Sequence, residues 1–133
     1  MSRATQDALF VRGKYNSLDV VHAHTLRHIT TLDTKKCGVF SCVTNHALNQ
    51  AYLGCYDGHF FVVDLDRMIL VNSGYKKLRQ GIYDMTILPD NSHTILTTQH
   101  FGFIEFVDPV ANELMNGGVQ LPTNTIFQIS ATR

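Results

Sequence analysis

Six residues, GVFSCV at Gly38 to Val43, return as GIYDMT at Gly81 to Thr86 and again as TIFQIS at Thr125 to Ser130. The copies start 43 and 44 residues apart, and each joins a β-branched residue to an aromatic: Val39-Phe40, Ile82-Tyr83, Ile126-Phe127. A second segment keeps the same step. Gly58 precedes Val63-Asp64, and 44 residues on Gly102 precedes Val107-Asp108; a weaker copy, Gly13 before Leu18-Asp19, lies 45 residues upstream of Gly58. A fixed period of this length means one supersecondary unit per repeat, and such a unit buries its apolar face only by stacking on its neighbours. This fixes the fold class more tightly than any other feature of the chain.

Inside one period the apolar residues fall in short runs set off by turn residues, the pattern of strands rather than helices. The best copy reads as Val39 to Val43, a polar turn at Thr44 to Gln50, Ala51 to Cys55, a hairpin tip at Tyr56-Asp57-Gly58-His59, Phe60 to Val63, and Met68 to Val71. The next copy uses Ile82 to Leu88, a turn at Pro89-Asp90-Asn91-Ser92, Thr94 to Thr98, Phe103 to Val107 and Glu113 to Met115. No segment carries a helical period, so the expectation is an all-β chain of four-stranded antiparallel blades.

These residues resemble the WD-repeat β-propeller family, whose repeats run roughly 40 to 45 residues with four strands per blade. The resemblance is strongest over LGCYDGHFFVVDL, Leu53 to Leu65, where Asp57-Gly58 matches the tight turn and Val63-Asp64 stands where the family has Trp-Asp. The chain has no tryptophan and lacks the family's Gly-His pair, so the repeats are degenerate copies. The resemblance implies a partial propeller: a partial blade at 9–37, blades at 38–80 and 81–124, and the first strand of another at 125–133. Propellers close with roughly 4 to 8 blades, so it also implies the rest of a longer propeller or a second copy to close the ring.

Charge excludes some functions. Lys plus Arg, 11, balances Asp plus Glu, 11, leaving no general field for nucleic acid or an anionic membrane. No apolar run approaches the roughly 18 residues of a membrane span, and Met1 to Arg12 lacks the apolar centre of a secretory signal. Cys37, Cys42 and Cys55 make an odd count without a C-x-x-C pair, which points to a reducing compartment, the cytoplasm or the nucleus. Cys42 and Cys55 read as small buried thiols on paired strands.

The candidate site is a rim of loops. Lys35 and Lys36 precede Gly38, and Tyr75, Lys76, Lys77 and Arg79 precede Gly81, at corresponding places in adjacent copies. The tips at Tyr56 to His59 and Gln99 to Gly102 are expected at the same end, with His100 and Phe101 as contacts, because exposed aromatics anchor partners. Asp57, Gly58, Asp64, Gly102 and Asp108 read as structural turn residues, since aspartate and glycine recur there with the blade period. His22, His24 and His28 have a spacing that could share zinc from one strand face, but no cysteine lies beside them and they read as surface histidines. No nucleophile elbow, phosphate-binding glycine loop or H-E-x-x-H motif occurs.

The expected function is therefore a non-catalytic protein-protein interaction scaffold with no cofactor and other proteins as partners. The alternative is a propeller-type enzyme or a ligand- or metal-binding domain with an axial site using Asp84 or His100. A β-sandwich of the same length is a third architecture, against which the two in-phase repeats argue.

Overall fold

The computed structural model describes residues 8–12, 17–34, 38–78, 80–88, 91–109, 113–114 and 118–122. Apart from one 3-10 turn at His100–Gly102, the regular structure of these residues is all strand. Strands β1 (Ala8–Arg12), β2 (Ser17–His22) and β3 (His28–Asp33) form the first sheet; β4 (Val39–Asn45), β5 (Gln50–Cys55), β6 (His59–Asp64) and β7 (Ile69–Lys77) form the second. The third holds β8 (Ile82–Leu88), β9 (Asn91–Gln99), β10 (Phe103–Asp108) and β11 (Glu113–Leu114), and β12 (Val119–Gln120) also pairs with β10. Every pairing is antiparallel between successive strands, β12 excepted, so each sheet is a meander; none closes on itself.

The internal repeat survives as register. Gln50 pairs with Asp64 and Gly54 with Phe60 in the second sheet; 44 residues on, Thr98 pairs with Ile104 and Ile95 with Val107 as Ala51 does with Val63. Ala8 pairs with His22 and Arg12 with Leu18, which places the first sheet 42 residues before the second rather than 45. The Leu18-Asp19 pair therefore opens β2, whereas Val63-Asp64 and Val107-Asp108 close β6 and β10. The true counterpart of Asp64 is His22. Asp64 Oδ1 accepts from the Asp66 and Arg67 amides at 2.9 and 3.4 Å, and His22 Nδ1 accepts from those of His24 and Thr25 at 3.3 and 3.4 Å. Both turns end on a left-handed residue, Leu26 at φ 61° and Met68 at φ 56°.

The sheets stack face to face because alternate residues of a strand point to opposite faces. In the second sheet Ala51, Leu53, Cys55, Phe61 and Val63 pack with Leu18, Val20 and Leu32 of the first. Their neighbours Tyr52, Phe60 and Val62 point the other way and pack with Ile82, Met85, Ile95 and Val107 of the third. A sheet buried on both faces needs continuous apolar runs, and QAYLGC and HFFVVD supply them.

Three placements differ from the sequence expectation. Tyr75, Lys76 and Lys77 belong to β7 and not to a connecting loop: Lys76 pairs with Phe60 and Lys77 with His59, because the β6 backbone groups require partners. Strand β9 begins at Asn91, so Asn91 and Ser92 are strand residues rather than turn; Pro89 and Asp90 lie outside the described residues. Cys55, expected as a thiol, is disulfide-bonded, and Cys42 is the free cysteine among the described residues. Cysteine usage thus stops pointing to a reducing compartment. No helix among the described residues is long and apolar enough to cross a membrane.

A candidate interaction surface of aromatic side chains

The same irregularity occurs in two sheets. Val39 pairs with Cys55 and Ser41 with Gly54, leaving Phe40 as an extra residue; Ile82 pairs with Gln99 and Asp84 with Thr98, leaving Tyr83 extra in the same way. A bulge re-aims its side chain out of the alternating pattern. Here both rings turn to one end of the stack and meet, with centroids 5.5 Å apart. The Arg12 guanidinium lies 5.4 Å from the Phe40 ring centre, and His100 meets Tyr83 edge-on at 4.4 Å. Phe101 follows at 6.0 Å from His100. The first, second and third sheets thus each contribute to one continuous stripe.

The stripe sits on a braced junction of tips and connections. At the β5–β6 tip Asp57 Oδ1 accepts from the His59 amide at 3.1 Å, and Gly58 at φ 100° makes a turn that a Cβ would strain. The Leu78 amide then donates to the Gly58 carbonyl at 2.7 Å, and the His100 amide to the Gly81 carbonyl at 3.0 Å. A Cβ on Gly81 would fall 1.7 Å from the Tyr56 carbonyl oxygen and 2.4 Å from the His100 ring, so only glycine lets strand connection and tips touch. Below them is a buried polar cluster. Gln99 Oε1 accepts from the Gln80 amide at 3.0 Å while its Nε2 donates to Thr97 Oγ1 at 2.9 Å and to Glu105 Oε1 at 3.0 Å.

Phe101 is the outlier of this end. It is 65% exposed, yet its backbone holds φ 64°, a left-handed conformation that costs a non-glycine L-residue about 1–2 kcal/mol. In the equivalent tip that position is Asp57, which is not left-handed. Gln120 from the β12 segment donates its side-chain amide to the Phe101 carbonyl, and the Leu121 amide donates to that of Gly102 at 3.0 Å. The backbone that presents the exposed ring is thus held. Phe40 at 44% and Tyr56 at 56% exposure extend the aromatic surface beside it.

Of the residues singled out in the sequence, His100 and Phe101 lie on this stripe. Lys35, Lys36 and Arg79 lie outside the described residues, as do Gly13, Cys37, Met115 and Thr125 to Ser130. Asp64 closes its turn and also receives Arg67 Nε at 3.2 Å. Gly102 takes φ 79°, and Asp108 ends β10. Tyr56 lies at its expected tip, whereas Arg12, Phe40 and Tyr83 are surface residues that the sequence does not mark as such. The signal was present, because Val39-Phe40 and Ile82-Tyr83 are the repeated pair that defines the period, but alternation alone does not say that a bulge turns the ring outward.

His22 and His24 stay together, their ring centroids 5.8 Å apart, and His22 caps a turn, whereas His28 Nε2 meets Asp19 Oδ1 at 3.2 Å and Thr31 Oγ1 at 2.9 Å. No cluster of three metal-binding side chains occurs among the described residues. Thr31 and His28 together hold the Asp19 carboxyl below its usual range. Cys42 borders a cavity of about 120 Å³ between first and second sheets, lined also by Phe10, Leu18 and Val39. Desolvation pushes its thiol up to about 12, and although the residue keeps exposed surface, the upward direction leaves it protonated at neutral pH. Asp84 bonds its carboxylate to the Met85 amide at 2.9 Å. The chain matches no known protein-family model and no curated protein.

Proposed function

We propose that this chain is a non-catalytic interaction scaffold built of WD-like propeller blades, and that it receives another protein on the stripe formed by Phe40, Tyr83, His100 and Phe101. The blade reading is supported by the meanders that follow one another in register and bury their faces only against each other. The single observation that carries the binding reading is Phe101, an exposed aromatic kept in a costly backbone conformation by contacts from β12. Strain of about 1–3 kcal/mol at a surface tip gives the free chain nothing, and such outliers cluster at ligand contacts. Aromatics dominate the energy of interfaces because they desolvate a large rigid area for few frozen rotors.

A random peptide library displayed on phage and selected on the folded chain tests this. Selected peptides should lose roughly 30-fold in affinity against Phe101→Ala or Tyr83→Ala, the size of one hot-spot contact. Ile69→Ala, an exposed apolar residue that pairs with Asp64 at the end of the second sheet away from the β5–β6 tip, serves as control and should leave affinity unchanged. Binders indifferent to both aromatic substitutions place recognition elsewhere and refute the reading.

A further inference from the structure

The two outer faces of the stack carry residues at the same register positions as the faces already joined inside it. Leu9, Val11 and Val21 on the first sheet correspond to Ala51, Leu53 and Val63 on the second, and through these to Ile95, Thr97 and Val107 on the third. In the second and third sheets all six are fully buried against the preceding sheet. In the first sheet Leu9 is 45% and Val11 47% exposed. At the other end, Leu96, Ile104 and Phe106 occupy the positions of Tyr52, Phe60 and Val62, which cover the third sheet within the chain. They are only half-buried.

We infer that a second copy of this chain docks head to tail, the outer face of its third sheet covering the outer face of the first sheet around Leu9, Val11 and Val21. The occupant is argued from continuity: the missing contact is the sheet-on-sheet contact the chain makes twice already, with corresponding residues on each side. The first face also carries polar side chains, Asp19, Thr31 and Asp33, and of these Asp19 has a precedent inside the stack. Asp19 stands where the third sheet has Glu105, and Glu105 is buried in the joint between second and third sheets with its carboxylate bonded to Gln99. Asp19 likewise has its own donors on the sheet, Thr31 Oγ1 at 2.7 Å and His28. Both bonds fall on Oδ1, so entry into such a joint also calls for a donor from the second copy at Oδ2.

Because the two faces differ, the contact is heterologous, and complementation tests it. Val11→Asp spoils one face and Phe106→Asp the other; far-UV circular dichroism shows that each folds, with Leu9→Asp and Ile104→Asp as replacements. Sedimentation equilibrium of the unaltered chain should give a mass above the 15.0 kDa of one copy. Each variant alone should fall to 15.0 kDa, and an equimolar mixture should rise to twice that value through the one intact pair of faces. A growing head-to-tail array stopped by either variant supports the inference equally. An unaltered chain of 15.0 kDa at every concentration, variants that still self-associate, or a mixture that stays monomeric overturns it.

Discussion

Gly54→Ala probes the joint between the second and third sheets with a single carbon. An ideal Cβ at this position lies 2.7 Å from Ile82 Cγ2 and 2.7 Å from Ser41 Oγ, inside the roughly 3.5–4.0 Å at which carbons rest. The two neighbours respond differently. Ser41 Oγ is buried without a hydrogen-bond partner, so its rotation breaks no bond, whereas Ile82 is fully buried and has nowhere to go. Overpacking of this kind costs about 1–3 kcal/mol, and the smaller unfolded-state entropy of alanine returns about 0.5–1 kcal/mol. The net expectation is a loss of about 1–2 kcal/mol. Ile82→Ala alone leaves a cavity and should cost about 2–5 kcal/mol. Combined, the new methyl enters the space Cγ2 vacated, so the double variant should be more stable than the sum predicts by about 1–2 kcal/mol. Urea unfolding followed by far-UV circular dichroism measures all four corners of the cycle. Additivity to within about 0.5 kcal/mol would mean that Gly54 and Ile82 do not touch, and the face-to-face stacking of these sheets would fall with it.

Three further outcomes are expected. Tyr52 is buried, donates to Gln50 Oε1 at 2.8 Å and accepts from Asn45 Nδ2 at 3.2 Å, and desolvation raises its phenol above 10.0. Its contribution is therefore complete below pH 10 and lost as pH climbs through the folded value. Tyr52→Phe should cost about 1–3 kcal/mol at neutral pH and flatten the alkaline decline in unfolding midpoint. His22→Asp puts the residue of the equivalent turn into the first sheet and should gain about 0.5 kcal/mol in a thermal melt, while a loss would contradict the 42-residue correspondence. Phe101→Asn, which tolerates the left-handed region, should stabilise the chain by about 1 kcal/mol while weakening the selected peptides, so that a stability loss would deny the strain at this tip.

The strands and their period were legible because alternation and turn residues write both directly into the sequence. The phase of the first copy was not. Leu18-Asp19 looks like Val63-Asp64, but what fixes register is the group capping the next turn, and in the first sheet an imidazole does the work of a carboxylate. The basic run at Tyr75 to Lys77 reads as a loop by composition, yet pairing with β6 draws it into a strand. The stripe was half legible: His100 and Phe101 stood out at a tip, while Phe40 and Tyr83 read only as the aromatic member of a repeated strand pair. Only a bulge, which adds a residue without altering composition, makes them face out.

The polar set Thr97, Gln99 and Glu105 occupies positions where the second sheet has Leu53, Cys55 and Phe61. A chain of near-copies faces a sorting problem as it folds, since any sheet could settle on any other and still hide oil. Here the third sheet carries polar groups that bond to one another, and one acceptor, Gln99 Oε1, that is met only once the strand connection at Gln80 is in place beside it. Laid against the wrong neighbour, that oxygen would be stripped of water without its donor and the misplaced stack would be penalised. The cluster thus works as an address, giving a repetitive chain one order of assembly.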